Sequence, residues 1–260
     1  MIKVYVINLA RSADRRAWMK AELARVGVEG VFVAAVDGRR GRFRRHGGCG
    51  RLSSAETALT LSHRKVWRRF AASGDAHAVV LEDDVHLGRD FAAMLARDWR
   101  SPRFDVVKLE TLFDRVWLAR RGEPVGARAL HRLGAEHLGS AAYIVSREGA
   151  RKLLARTRTL EEPIDHSLFG RRPITDGEIV AWQLAPAIVV QDNLQPNVTA
   201  RRELASTLHE SDRKRLADEA KRAKPRGAAR LRREAARLVA QARRWIRLAP
   251  TMRRQTIPWE

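Results

Sequence analysis

The chain has 260 residues, 45% of them hydrophobic, which suits one large globular domain with or without an appendage. A single cysteine, Cys49, excludes an intramolecular disulfide and any metal site built from several thiolates. The formal charge of +21 predicts an anionic partner, and it is uneven: +10 over residues 1–200 and +11 over residues 201–260.

The opening stretch from Lys3 to Ile7 reads as a strand rather than a secretory h-region, because Arg11 and Asp14 follow at once. No run approaches the roughly 18 apolar residues that would span a bilayer. The expectation is a protein that starts in the cytoplasm. Ser12 to Val26 predicts a helix with Trp18, Met19, Leu23 and Val26 on one face, stopped by Gly27. A second strand is expected over Val31–Ala35, closed by the turn Asp37-Gly38, and residues 39–51 read as a loop.

Ser53-Ser54-Ala55-Glu56 is a capping box, so a helix should start there and carry Leu59, His63, Val66, Trp67 and Phe70 on one face. Ala78–Leu81 is a short, wholly apolar run, as expected for a central strand of a parallel sheet. The acidic cluster Glu82-Asp83-Asp84 follows directly. Further elements are expected as a helix near Phe91–Arg97, a strand over Asp105–Leu109, a hairpin within 111–137, a strand over Ala141–Val145, a helix capped by Ser146, and a strand at Ile188–Val190. This alternation predicts an α/β sandwich with a mostly parallel central sheet, spanning residues 1–200. Residues 201–260 read as a separate basic tail. Within it Leu231, Leu238, Ala242 and Trp245 recur at helical spacing and Pro250 stops the helix. The tail fits an anionic membrane surface, or alternatively packs on the domain with its arginines in water.

In parallel sheets ligands sit beyond the carboxyl ends of central strands, where the acidic cluster lies. Three adjacent carboxylates repel one another, and oxygen-rich sites of this kind suit Mg²⁺ or Mn²⁺ bridging a diphosphate. Strand alternation would place Glu82 and Asp84 together, with Asp83 opposite. The plain alternative is a solvated acidic turn. His63 reads as a core histidine or a ligand contact. Asp14 reads as a macrodipole partner. Arg15 and Arg16 lie where a nucleotide could be reached. Asp37 reads as a turn residue or a ribose contact. Asp165 in Pro163-Ile164-Asp165-His166 reads as a structural loop residue or a general base, with His166 a possible further metal ligand. No nucleic-acid-binding motif accompanies the basic charge, and the aromatics sit in apolar patterns, which argues against a nucleic-acid partner.

One ordered set of motifs goes further. It runs Val4-Tyr5-Val6-Ile7-Asn8-Leu9 with Arg11, Asp14 and Arg15, then Ala35-Val36-Asp37-Gly38, then Glu56 with Leu61-Ser62-His63 and Trp67. Val80-Leu81-Glu82-Asp83-Asp84-Val85 comes next, then Asp105 with Lys108-Leu109, Gly139 with Ala142-Tyr143-Ile144-Val145, and Pro163 with Asp165. This set resembles glycosyltransferase family 25, which includes bacterial lipooligosaccharide galactosyltransferases and collagen hydroxylysine galactosyltransferases. The family's usual Gly-Glu-Ile-Gly-Cys is replaced here by Ala55-Glu56-Thr57-Ala58-Leu59, and the resemblance ends near residue 195. It implies a GT-A-like fold and an inverting transfer from a UDP-sugar, often UDP-galactose, to a glycan or lipid-linked acceptor. It also implies that the acidic cluster is the family's metal-diphosphate motif, so Mn²⁺ or Mg²⁺ is expected on Asp84 and Glu82, and Glu82 and Asp165, the latter as base, are the residues expected to carry catalysis. Asn8, Arg11, Asp14, Arg15, Asp37, Gly38, His63, Asp83 and Lys108 would surround the donor. An enzyme of this kind would work at the cytoplasmic face of the inner membrane.

Overall fold

Alternate residues of the first strand, β1 (Lys3–Asn8), enter opposite cores: Val4 and Val6 pack on one face, Tyr5 and Ile7 on the other. The same split holds in β3 (His77–Glu82), where Val79 and Leu81 face one core and Ala78 and Val80 the other. Strands buried on both faces need helices on both sides, so the molecule is a three-layer α/β/α sandwich. The computed structural model describes residues 2–39, 52–197, 199, 201 and 250–259.

The central sheet has eight strands in the order β2-β1-β3-β10-β5-β11-β9-β8. The remaining members are β2 (Gly30–Ala34), β5 (Val106–Lys108), β8 (Glu123–Val125), β9 (Arg128–Arg132), β10 (Ala142–Ser146) and β11 (Ala181–Ala185). Six of the eight strands run one way, and β10 and β9 run against them. The mostly parallel sheet expected from the alternation is therefore present, with a reversed strand inserted beside β3.

Helix α1 (Ala13–Arg25) lies on one face through Met19 and Leu23. Ser12 holds its N-cap position without a side-chain cap bond, and Gly27 takes φ +68 beyond its end. Helix α2 (Ser54–Ala71) lies on the other face through Val66, Trp67 and Phe70. Its capping box forms as expected: Glu56 N donates to Ser53 Oγ at 3.1 Å, and Ser53 N donates to Glu56 Oε2 at 2.8 Å. Helix α3 (Phe91–Ala96) joins α1, while α4 (Arg147–Arg156) and α5 (Ile164–Phe169) join α2, followed by the short α6 (Arg171–Thr175).

From β1 the chain crosses through α1 to β2 on one side, then through α2 to β3 on the other. The helices take opposite faces at the β1–β3 boundary, so a crevice opens at the carboxyl ends of these two strands. A small sheet of β4 (Val85–Leu87), β12 (Val189–Gln191) and β6 (Glu110–Thr111) flanks that crevice. The expected strand at Ile188–Val190 thus belongs to this second sheet.

The tail boundary at residue 201 needs correction at its far end. Met252–Thr256 is a strand, β13, paired antiparallel with β7 (Arg115–Ala119). Ile257 is fully buried, Thr111 Oγ1 donates to its carbonyl at 2.7 Å, and Ala187 N donates to Pro258 O at 2.8 Å. An apolar anchor and open backbone partners outweigh the basic character of these residues and draw them into the domain. The amphipathic helix expected over 231–249, Cys49 and loop residues 40–51 lie outside the described residues. No described helix is long and apolar enough to cross a membrane.

Candidate active site

Strand β3 ends at Glu82, and Asp83-Asp84 form a turn into β4. The turn ends the strand alternation, yet Glu82 and Asp84 both line the same crevice. Arg15, in the first turns of α1, reaches over it. Its Nη2 lies 3.1 Å from Asp83 Oδ1 and also pairs with Asp84 Oδ2. Asn8 Nδ2 donates to the other Asp83 oxygen at 2.7 Å, so Asp83 is tied on both sides. Asp84 keeps one buried oxygen, Oδ1, with no partner. Burial, reinforced by Glu82 and Asp83 and opposed by Arg15, lifts the Asp84 carboxyl to about 7.

Glu82 belongs to a different network. Ser140 Oγ donates to its Oε1 at 2.7 Å, and His63 Nε2 lies 3.6 Å from the same oxygen. Burial pushes Glu82 up, but His63, Ser140 and Arg15 together hold it below the usual carboxylate range. The other side of His63 is also held. Trp67 Nε1 donates to Tyr143 Oη at 2.9 Å, and that hydroxyl lies 2.8 Å from His63 Nδ1. Burial keeps the Tyr143 hydroxyl protonated.

Glu82, Asp83, Asp84 and Arg15 line a cavity of about 490 Å³. On the β1–β2 side stand Arg11, Asp37, Gly38 and Arg39, with Arg11 Nε 3.1 Å from Asp37 Oδ2. Gly38 must be glycine, because a Cβ would lie 2.7 Å from Ser54 O. Glu82, Asp83, Asp84 and Arg15 form the centre. On the far side stand Leu112, Asp114, Leu138, Gly139, Asp165 and the segment Gln191–Leu194. Asp165, in the first turn of α5, accepts from His166 N at 3.0 Å.

Of the residues expected around the donor, Arg11, Arg15, Asp37, Gly38 and Asp83 reach the cavity wall. Asn8, His63 and Lys108 are buried behind it, and Asp14 is exposed in the first turn of α1, so these four do not face a ligand there. His166 is not on the wall either. The segment Gln191–Leu194 was not expected, although a polar run directly after an apolar strand is the signal that marks Glu82–Asp84. Asp192 N donates to Asp84 O at 2.8 Å, and Asp192 Oδ1 pairs with His86 Nε2 at 2.7 Å, which clasps the two turns together.

Residues 1–168 match the family described as "Glycosyltransferase family 25 (LPS biosynthesis protein)". The chain belongs to glycosyltransferase family 25. It is 34% identical over 206 residues to the lacto-N-neotetraose biosynthesis glycosyltransferase LgtB of Neisseria gonorrhoeae, covering 72% of this chain and 74% of that one. It is 28% identical to the lipooligosaccharide biosynthesis protein lex-1 of Haemophilus influenzae, over 63% of this chain and 57% of that one. It is also 31% identical to the inactive glycosyltransferase 25 family member 3 of Mus musculus, over 69% of this chain and 34% of that one. Among solved structures, a glycosyltransferase involved in the glycosylation of the major capsid of PBCV-1 aligns with a TM-score of 0.41 at 9% identity, covering 78% of this chain and 97% of that chain. The family 25 match ends just past Asp165, so it takes in the acidic turn and leaves out the wall at Gln191–Leu194.

Proposed function

We propose that this family 25 chain is an inverting transferase that moves a hexose, with galactose the expected sugar, from a UDP-sugar to a hydroxyl of a lipopolysaccharide- or lipooligosaccharide-type acceptor. The observation that carries the reading is the layout of the cavity. Cations stand on the β1–β2 side, an unpartnered Asp84 oxygen at the centre, and a second carboxylate, Asp165, on the far wall.

The donor set suits a divalent cation shared with the substrate. Among the described residues no group of three or more His, Cys, Asp or Glu is arranged to hold a metal by itself. Mg²⁺-type ions, however, commonly take one or two carboxylates and complete their shell with substrate phosphates. Asp84, with its free oxygen, is the first ligand on this reading. Glu82, one of whose oxygens Ser140 already holds, is the second candidate. When bound, such an ion neutralises the diphosphate and makes UDP a better leaving group.

The protein groups then divide the work. Arg11, Asp37 and the close-packed Gly38 hold the nucleotide end. Asp165 accepts the proton of the acceptor hydroxyl as its oxygen forms the new bond to the anomeric carbon. The bond from that carbon to the UDP oxygen breaks on the opposite face, and its electron pair leaves with UDP. Arg15 lies beside the phosphates to meet that charge. Replacing Asp84 by alanine is expected to lower transfer at least about 100-fold with the fold intact, the scale of losing a group that stabilises transition-state charge. Undiminished transfer from UDP-sugars by folded Asp84→Ala would remove the metal role.

A further inference from the structure

Lys108 does not face the cavity, yet among the described residues it is the largest charged side chain that is completely buried. A buried ammonium is costly unless its donors are met. Its Nζ donates to Glu110 Oε1 at 2.8 Å and to Gly139 O at 2.8 Å, and it sits 4.6 Å from the centre of the Phe169 ring. Glu110, equally buried, also accepts from Ala141 N at 2.9 Å. The ion pair therefore grips the segment 139–141 at both ends. Between those grips sits Ser140, the residue that holds Glu82.

The segment is fitted to the pair. Gly139 has φ +99, where side chains are strained, and an added Cβ would lie 3.0 Å from Lys108 Nζ and 3.2 Å from Glu110 Oε1. Phe169 ends the helix α5 that begins beside Asp165. Burial disfavours the Lys108 charge, and Glu110, then Asp165 and Glu82, favour it, so both site carboxylates feel this cation. A pair serving only the fold gains little over apolar groups of the same size, which are often neutral replacements.

We infer that Lys108 and Glu110 are positioning residues. They fix the Gly139–Ala141 segment so that Ser140 holds the Glu82 carboxylate, and they seat α5 so that Asp165 faces the cavity. The kinetic side of this inference rests on the proposed transferase activity. The structural side does not.

The test is Lys108→Met combined with Glu110→Leu in the full chain, which avoids leaving one charge buried alone. The expected variant melts within about 4 °C of the parent, a stability change of no more than about 1–2 kcal/mol. Amide exchange over 139–141 should rise at least about tenfold while β1 and β3 stay protected. Turnover with a nucleotide-sugar and a neutral sugar acceptor should fall at least about 30-fold, with the donor KM within about threefold. Adding Ser140→Ala should cost little more, because both changes release the same carboxylate. Parental exchange over 139–141, or losses that multiply, would overturn the inference. If the double variant does not fold, Gly139→Ala presses on the same two atoms from the segment side and carries the same expectations. If the unaltered chain transfers from no nucleotide-sugar, the proposed function fails, and the exchange measurement still decides the positioning claim.

Discussion

At the residue scale, the two carboxylates with the most to do are set apart by what they touch. Asp84 keeps a free oxygen in a buried turn, and Asp165 stands across the cavity on the first turn of α5. If Asp165 is the base, Asp165→Asn keeps the side chain's size and loses its basicity. Turnover is then expected to fall about 10²- to 10⁴-fold with little change in donor KM, read by steady-state kinetics. His137 offers a separate test on stability. Burial, with the nearby Lys108 charge, drives its imidazole down to about 3, and Nδ1 pairs with Gln183 Oε1 at 2.8 Å. The unfolded chain takes up this proton below about pH 6.5, and the folded chain does not until about pH 3. Protons bound by the unfolded state alone weaken the fold, so stability is expected to decline as pH drops through that window. Urea midpoints from pH 7 to pH 4 should fall less steeply for His137→Asn than for the parent.

At the element scale, the strands and helices with strong periodicity were legible because their apolar residues are local neighbours. The capping box at Ser53–Glu56 and the apolar run before Glu82 are examples. Of the three-strand sheet only β12 was, through the apolar run Ile188–Val190, because β4 and β6 have three and two residues and are too short to show a pattern. The reversed direction of β10 is set by partners 35 or more residues away in the chain, and no local signal records it. The site was half legible for the same reason. Glu82–Asp84 announce themselves after a buried strand, but Arg15 reaching two of them and Lys108 retreating behind the wall depend on long-range packing. Strand β13 was hidden by its basic sequence, and its anchor is the buried Ile257. Ile257→Ala should cost about 2–5 kcal/mol as a buried large-to-small change, measured by denaturant unfolding. A cost below 0.5 kcal/mol would mean that the C-terminal strand contributes little to the domain.

At the scale of the whole molecule, the crevice lies where the first two crossovers part, and its wall sets three arginines against seven carboxylates, so an anionic donor would need a cation beside Asp84. Arg11, Arg15 and Arg39 stand on or near the β1 side, within a chain of net charge +21. The central claim is that this crevice binds a nucleotide-sugar with help from a cation on Asp84. A ligand at 100 times its Kd stabilises the fold by about 2.7 kcal/mol, which for a domain of this size is a rise of about 5–10 °C. The most direct measurement is thermal unfolding with a panel of nucleotide-sugars, each with and without Mn²⁺, on the parent chain and on Asp84→Ala. A rise of that size is expected for one UDP-sugar with Mn²⁺, absent without the ion and absent in Asp84→Ala. No rise with any nucleotide-sugar, or the same rise in Asp84→Ala, would contradict it.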